Sequence, residues 1–338
     1  MAAPTDKRLT ELSDWVAQVL PGSRGTLIPA SGDASFRRYF RTSADGPGWI
    51  VMDAPPATEN LSAFVDVAEL LKGAAVTVPD VRAADLERGF AVLSDLGQHP
   101  YQDVLANDNA DRLYRDALAA LTRIQDGIDI TDCRRPEYDE ALLRRELLIF
   151  SDWFLGRLLG IELDAGVTAL LENVTVALVA SALEQPRVFV HRDYHSRNLM
   201  VCPSGNPGIL DFQDAVIGPV TYDLVSLLRD CYVAWPESRV ARWRHDYLVE
   251  ARRRALLSGS DLPRFERWFD LMGMQRHLKA VGIFARLKVR DGKGGYLADI
   301  PRTLDYVYAV CGKYPEFADF GAFLRDTAGP AERRSVFA

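Results

Sequence analysis

A chain of 338 residues with 48% hydrophobic and 26% charged side chains is a globular protein with length for a real core, in one large or two modest domains. Its net charge of −7 argues against a nucleic-acid partner, which calls for a basic excess. Its apolar runs read as too short to cross a bilayer. The first residues show no secretory pattern, and Cys133, Cys202, Cys231 and Cys311 have neither C-x-x-C spacing nor the look of a disulfide framework. The expectation is a cytoplasmic protein with no membrane partner and no obligate protein partner.

In chain order, Leu9, Leu12, Val16 and Val19 predict a helix over residues 7–20, stopped by Pro21-Gly22. The short aromatic and β-branched runs "TLIPASGDASFRRYFRTS" and "GPGWIVMDAPP" predict strands joined by turns. Leu61, Phe64, Val65, Ala68 and Leu71 mark one face of a second helix, with Gly73 as its C-cap. Strand-like "VRAADLE" and "GFAVLSDLG" follow, so residues 24–97 read strand, strand, strand, helix, strand, strand.

Beyond Gly97 the pattern turns helical. Leu113, Ala117, Ala120, Leu121 and Ile124 stripe one helix; 139–160 form a longer one rich in Leu, Phe and Trp, and 166–184 another, ended by Pro186. "RVFVH" is a short buried strand, and the chain from 221 onward is mostly helix. The basic triplet Arg252, Arg253, Arg254 reads as a solvated helix face. The expected architecture is α+β and two-lobed. Residues 1–97 read as a small β-rich lobe with a leading helix, and 98–338 as a mainly helical lobe.

Chemistry concentrates in "HRDYHSRN", residues 191–198. Phosphoryl transfer asks a protein for a carboxylate that orients the attacking hydroxyl and for ligands that hold magnesium on the phosphates. H-R-D followed by Asn after four residues supplies both. Asp193 is the candidate base; Asn198 and, at the end of the strand "GIL", Asp211 are candidate magnesium ligands with hard oxygen donors. His191-x-x-x-His195 also invites a zinc reading, but a metalloprotease helix needs Glu after the first His and this chain has Arg192 after "VFV".

On these residues the chain resembles the aminoglycoside phosphotransferase/choline kinase family, the small-molecule relatives of protein kinases, whose core motif is H-G-D-x-x-x-x-N followed by an Asp. The resemblance continues through "DFQDAVIGPVTYDLVSLL", where Gly218, Pro219, Asp223 and Leu224 match. It implies a protein-kinase-like fold, with ATP and Mg²⁺ as cofactors. It also implies that Asp223 and His191 support the catalytic loop and that the connector "AVLSDLG" offers backbone at Ser94 and Leu96 to adenine.

Arg192 departs from the family's usual Gly. With "WIVMDAPP", "ELLIFSDWFLGRLL" and "RHLKAVGIFARL", it makes the chain similar to one branch, the bacterial kinases of the anomeric C1 hydroxyl of N-acetylmuramate and N-acetylglucosamine. The implied partners are an amino sugar and ATP, and the implied role is peptidoglycan recycling toward nucleotide-sugar synthesis. Candidate sugar contacts are His195, Arg197 and Trp153, the last more at home in a core. Other acceptors (an aminoglycoside, choline, homoserine) and a nucleotide-binding pseudokinase are the alternatives.

The N-terminal half departs further. Where kinases carry a lysine at the end of their third strand, this chain has Met52 and Asp53, and Lys72 lies on the predicted helix. Arg37, Arg38 and Arg41 are the basic groups available for phosphates, or else surface charges. The turn "SGDAS" has one glycine, and Ser31, Gly32 and Ser35 are its candidate nucleotide contacts. Glu69 could stand for the kinase helix glutamate but has no evident lysine to pair with.

Overall fold

The computed structural model describes residues 6–21, 27–31, 36–42 and 48–329. The helices are α1 (Lys7–Val19), α2 (Leu61–Gly73), α3 (Tyr101–Val104), α4 (Ala110–Gly127), α5 (Glu140–Ile149), α6 (Ala165–Leu183), α7 (Tyr222–Leu228), α8 (Glu237–Arg253), α9 (Leu262–Asp291), α10 (Ile300–Lys313) and α11 (Ala318–Ala328). The strands are β1 (Ile28–Ser31), β2 (Arg38–Arg41), β3 (Trp49–Asp53), β4 (Val81–Asp85), β5 (Phe90–Ser94), β6 (Arg187–Val190), β7 (Leu199–Met200), β8 (Gly208–Ile209) and β9 (Val216–Pro219).

The chain divides into two compact units. The first holds residues 1–120 and 197–214, the second 121–196 and 215–338. In the first, five antiparallel strands run in the order β1-β2-β3-β5-β4. The register sets Phe40 opposite Val51 and Val51 opposite Val92. Since side chains alternate across a strand, these three share one face, where they join Phe90 and the α1 residues Leu12, Trp15, Val16 and Leu20 in one core cluster. Residues 197–214 add the β7–β8 hairpin, and Phe212 stacks on Phe64 of α2 at 4.7 Å between centroids.

The order of elements in residues 24–97 is the expected one, with small corrections. Val67, not Val65, completes the buried stripe of α2. Gly73 is the last helical residue; the left-handed turn falls two residues later, on Ala75 at φ 56°. The connection therefore places its strain on a residue with a Cβ rather than on the glycine.

In the second unit α9 is the central helix, packed by α5, α6, α7 and α10. The expected single helix over 139–160 is instead α5 followed by a π-helical segment, Phe150–Leu158. The change falls where α9 crosses: a Cβ on Gly282 would sit 2.6 Å from the Ile149 carbonyl carbon and the Phe150 nitrogen. Two backbones this close tolerate only glycine at the crossing. Helix α6 corrects another expectation, because by length and composition alone it is apolar enough to cross a membrane. It lies against α5, α9 and α11, and Glu172 on it takes Arg144 at 2.9 Å. Of the basic triplet, Arg253 and Arg254 both pair with Glu250.

Candidate active site

The "HRDYHSRN" string is shared by the two units, which divide it between Ser196 and Arg197. In the second unit β6 pairs with β9, Val190 opposite Val216, and the loop leaves β6 at His191. The His191 and Arg192 amides donate to the two oxygens of Asp223, at 2.6 and 2.9 Å. Asp223 lies in the first turn of α7 and has no exposed surface. Burial pushes its carboxyl up to about 6, against the pull of those two bonds. The His191 ring is fully buried and its Nδ1 accepts from the Asp193 amide at 3.2 Å.

Arg192 sits at φ 78°, in the left-handed region that a residue with a Cβ enters only at a cost. A glycine would relieve that cost, but it would have no side chain. Here the Arg192 guanidinium bonds Glu146 of α5, whose side chain is 3% exposed. Glu146 also takes Lys279 Nζ at 3.0 Å and the Tyr138 hydroxyl. Lys279 donates in turn to the Tyr222 hydroxyl at 3.1 Å. Burial pushes the Glu146 carboxyl up, but Lys279 and Arg192 outweigh it and the net shift is downward. A buried carboxylate is tolerable only with such partners.

Asp193 follows on this braced loop, its side chain 42% exposed. Burial alone would push its carboxyl up. Lys279, His195, Arg276 and Arg192 together overcome that and hold it down at about 2. His195 Nε2 stands 3.9 Å from Asp193 Oδ1, and its ring meets Tyr232 edge-on. Burial lowers the imidazole to about 4, so the ring is neutral at physiological pH. The Ser196 amide donates to the buried Asp230 at 2.9 Å.

In the first unit the β7–β8 register pairs Leu199 with Ile209, and the next step outward has the Leu210 amide donating to the Asn198 carbonyl at 2.9 Å. Asn198 and Asp211 therefore spring from neighbouring backbone. Asp211 stands at φ 62°, with its side chain 32% exposed. Its Oδ1 accepts from Arg37 Nη2 at 2.8 Å and from Gln213 Nε2 at 2.9 Å. One carboxylate and one amide oxygen suit magnesium, which keeps waters and takes phosphate oxygens. Among the described residues no group of three or more His, Cys, Asp or Glu is placed to hold a metal by itself. As hard oxygen donors, Asn198 and Asp211 have the chemistry that magnesium takes.

Arg197 turns its Nε to Gln102 Oε1 at 2.7 Å. Trp153 lies half-buried on the π-helical segment beneath the Arg157 guanidinium, 4.4 Å from the ring centre, while its neighbours Phe150 and Phe154 are the core residues. Ser31 ends β1; Gly32 and Ser35 lie outside the described residues. The Ser94 amide donates to the Asp80 carbonyl at 2.9 Å, so that N–H is already engaged. The Leu96 carbonyl faces Cys202 Sγ at 3.9 Å.

Three residues near Asp193 went unread in the sequence: Glu146, Arg276 and Lys279. Glu146 is a charge on the buried stripe of α5, and Arg276 and Lys279 are buried charges of α9. Glu146 falls at helical spacing with the buried Leu143, Leu147 and Phe150, a legible sign of a buried ion pair. Glu69, by contrast, is a surface residue: its side chain is 66% exposed and approaches Lys72 at 3.8 Å. Glu59, just ahead of α2, is the residue that reaches inward. It accepts from the Phe36 amide at 3.2 Å and approaches Arg37 Nε at 3.7 Å.

A small antiparallel sheet carrying oxygen donors, with a helical unit carrying a braced loop aspartate, defines the class of kinase-like phosphotransferases. The chain belongs to the phosphotransferase enzyme family, whose model matches residues 26–257. It is 48% identical over 341 residues to an N-acetylmuramate/N-acetylglucosamine kinase of Pseudomonas aeruginosa, covering 97% of this chain and 99% of the relative. The kinase of the same name from Pseudomonas putida is 46% identical, covering 95% and 97%. That of Neisseria meningitidis is 39% identical, covering 98% and 99%. Among solved structures, choline kinase LicA from Streptococcus pneumoniae matches with a TM-score of 0.63 at 13% identity, over 90% of this chain and 99% of that one. ADP-bound aminoglycoside phosphotransferase APH(2'')-Ib matches at 0.59 and 12% identity, over 88% and 97%. At such identities the structural likeness establishes the fold, which is protein-kinase-like.

Proposed function

We propose that this chain is an ATP- and magnesium-dependent sugar kinase. It transfers the γ-phosphoryl group to the anomeric C1 hydroxyl of N-acetylmuramate and N-acetylglucosamine and yields the α-1-phosphate. The observation that carries the chemistry is Asp193, kept ionised by surrounding cations on a loop whose backbone is pinned by Asp223. The sugars are taken from the names of relatives that match nearly the whole chain. In this reading residues 1–97 serve the nucleotide and 98–338 carry the acceptor, in the cytoplasm, where the product feeds nucleotide-sugar synthesis during peptidoglycan recycling.

Asp193 accepts a hydrogen bond from the C1 hydroxyl and orients it for in-line attack. A carboxylate held near 2 is a weak base, so its part is positioning, with the proton leaving late in a loose transition state. An anomeric hydroxyl, more acidic than an ordinary alcohol, suits such a base. The neutral His195 ring beside it can hydrogen-bond the sugar without adding charge. Asn198 and Asp211 would hold magnesium, which offsets phosphate charge.

The test is phosphorus NMR on mixtures of the protein, Mg-ATP and, separately, N-acetylmuramate, N-acetylglucosamine, choline, homoserine and an aminoglycoside. The expected product is a sugar α-1-phosphate. Phosphate on another hydroxyl would overturn the anomeric reading, and nucleotide binding with no product from any acceptor would favour a pseudokinase.

A further inference from the structure

Nucleotide phosphates call for a protein cation, and the place where kinases keep it is apolar or acidic here. Met52 and Asp53 at the end of β3 are both fully buried. Asp53 is itself held by Arg8 and Arg38, each at 2.6 Å. Lys72 is turned to Asp80 at 2.7 Å. Of the three arginines around β2, Arg38 is committed to Asp53 and Asp6. Arg41 is committed to Asp95, at 2.7 Å, and to the Gly97 carbonyl, also at 2.7 Å. Arg37 is set apart by which carboxylates it meets. Its side chain is only 7% exposed, and its guanidinium reaches Asp211, the candidate magnesium ligand, with Glu59 on its Nε side.

We propose that Arg37 is the phosphate-binding cation of this protein and that Glu59 is its positioning residue. Together they replace the lysine–glutamate pair of kinases from different points in the chain. The cation precedes β2 instead of ending β3, and the glutamate precedes α2 instead of lying within it. Glu59 fixes the entry to β2 twice, through the Phe36 amide and the Arg37 Nε. The guanidinium is thereby held with its Nη2 edge toward the metal-site carboxylate. A carboxylate and a phosphate oxygen compete for that edge, since both match the guanidinium fork. Magnesium on Asp211 would relieve the competition and leave the fork to phosphate. Arg37 therefore couples metal binding to nucleotide binding, and the coupling acts in both directions. This inference rests on the phosphotransferase assignment but not on which sugar is the acceptor.

The test is calorimetric titration of the full chain with ATP, ADP and adenosine, each with Mg²⁺ and with EDTA, for wild type, Arg37→Met, Arg37→Lys and Glu59→Gln. A charge-assisted bond to phosphate predicts that Arg37→Met weakens ATP and ADP by about ten- to hundredfold. Adenosine, which has no phosphate, binds as before and reports that the site is folded. The gain in ATP affinity on adding Mg²⁺ shrinks in the same variant. Arg37→Lys keeps the charge without the fork and falls between. Glu59→Gln weakens ATP less, and combined with Arg37→Met adds nothing further. Wild-type ATP affinity in Arg37→Met, or an equal loss for adenosine and ATP, would overturn the proposal. Should Arg37→Met not fold, Arg37→Lys and Glu59→Gln provide the same ATP-against-adenosine comparison. If sugar phosphorylation fails while these affinities behave as stated, only the sugar reading falls.

Discussion

Each unit of this protein holds an arginine tied to a glutamate, Arg192 to Glu146 and Arg37 to Glu59, but the two pairs are built differently. Arg192 meets Glu146 in a dry interior, where the carboxylate is 3% exposed and also takes Lys279 and a tyrosine hydroxyl. Arg37 meets Asp211 and Glu59, whose side chains are 32% and 15% exposed. The first arrangement is a lock, since breaking it strands a charge away from water. The second is exchangeable, since each carboxylate can be resolvated or can turn to another cation. The two pairs should therefore differ in what it costs to break them.

The comparison breaks first at Glu146. Glu146→Ala leaves Arg192 and Lys279 without their buried counter-ion and should cost about 3–5 kcal/mol of stability. Glu59→Ala should cost under about 1 kcal/mol. Urea denaturation of the two variants measures the contrast, and equal losses would erase the distinction.

Asp223→Asn is expected to rank next. An amide can accept from only one of the His191 and Arg192 amides and turns a donor toward the other, a cost of about 1–3 kcal/mol. Asp223 also sets a pH dependence. Its folded carboxyl titrates at about 6 against an ordinary 3.8. The folded state therefore holds the proton across a window in which the unfolded chain has released it. The contribution of Asp223 to stability falls as pH rises through that window and is level above it. Melting temperatures of wild type and Asp223→Asn should converge over that range, and a constant difference would argue against it.

The smallest expected effect is that of Arg192→Gly. It removes a strained φ worth about 1–2 kcal/mol together with one of two cations on Glu146. Lys279 remains to satisfy the carboxylate, so the net change in stability should be near zero. Loss of activity would then locate the value of Arg192 in the charge it brings to Asp193.

The strands and helices were legible because period-two and helical stripes mark them and Pro and Gly punctuate them. The π-helical stretch was not, because it arises from the close crossing of Gly282 over Ile149 and Phe150, a tertiary event without a local signature. Asp193 and Asn198 were singled out by their spacing in one motif, and Asp211 by its place at the end of the following strand. Glu59 could not, since it lies 22 residues along the chain from Arg37 and meets it only through tertiary contact of the segments ahead of β2 and α2. Glu146, Arg276 and Lys279 stood inside segments that carried the resemblance; Glu146 shares the buried stripe of α5 with leucines, whereas Arg276 and Lys279 sit beside Gln275 and His277 on a helix rich in charge.

The most direct measurement is phosphorus NMR of N-acetylmuramate and Mg-ATP with wild type beside Asp193→Asn, with ATP affinity measured on both. Wild type should build the α-1-phosphate. Asp193→Asn should bind ATP as before and turn over about 10²–10⁴-fold more slowly. Undiminished α-1-phosphate formation by Asp193→Asn would contradict the assignment of Asp193, and phosphate on any other hydroxyl would contradict the anomeric reaction.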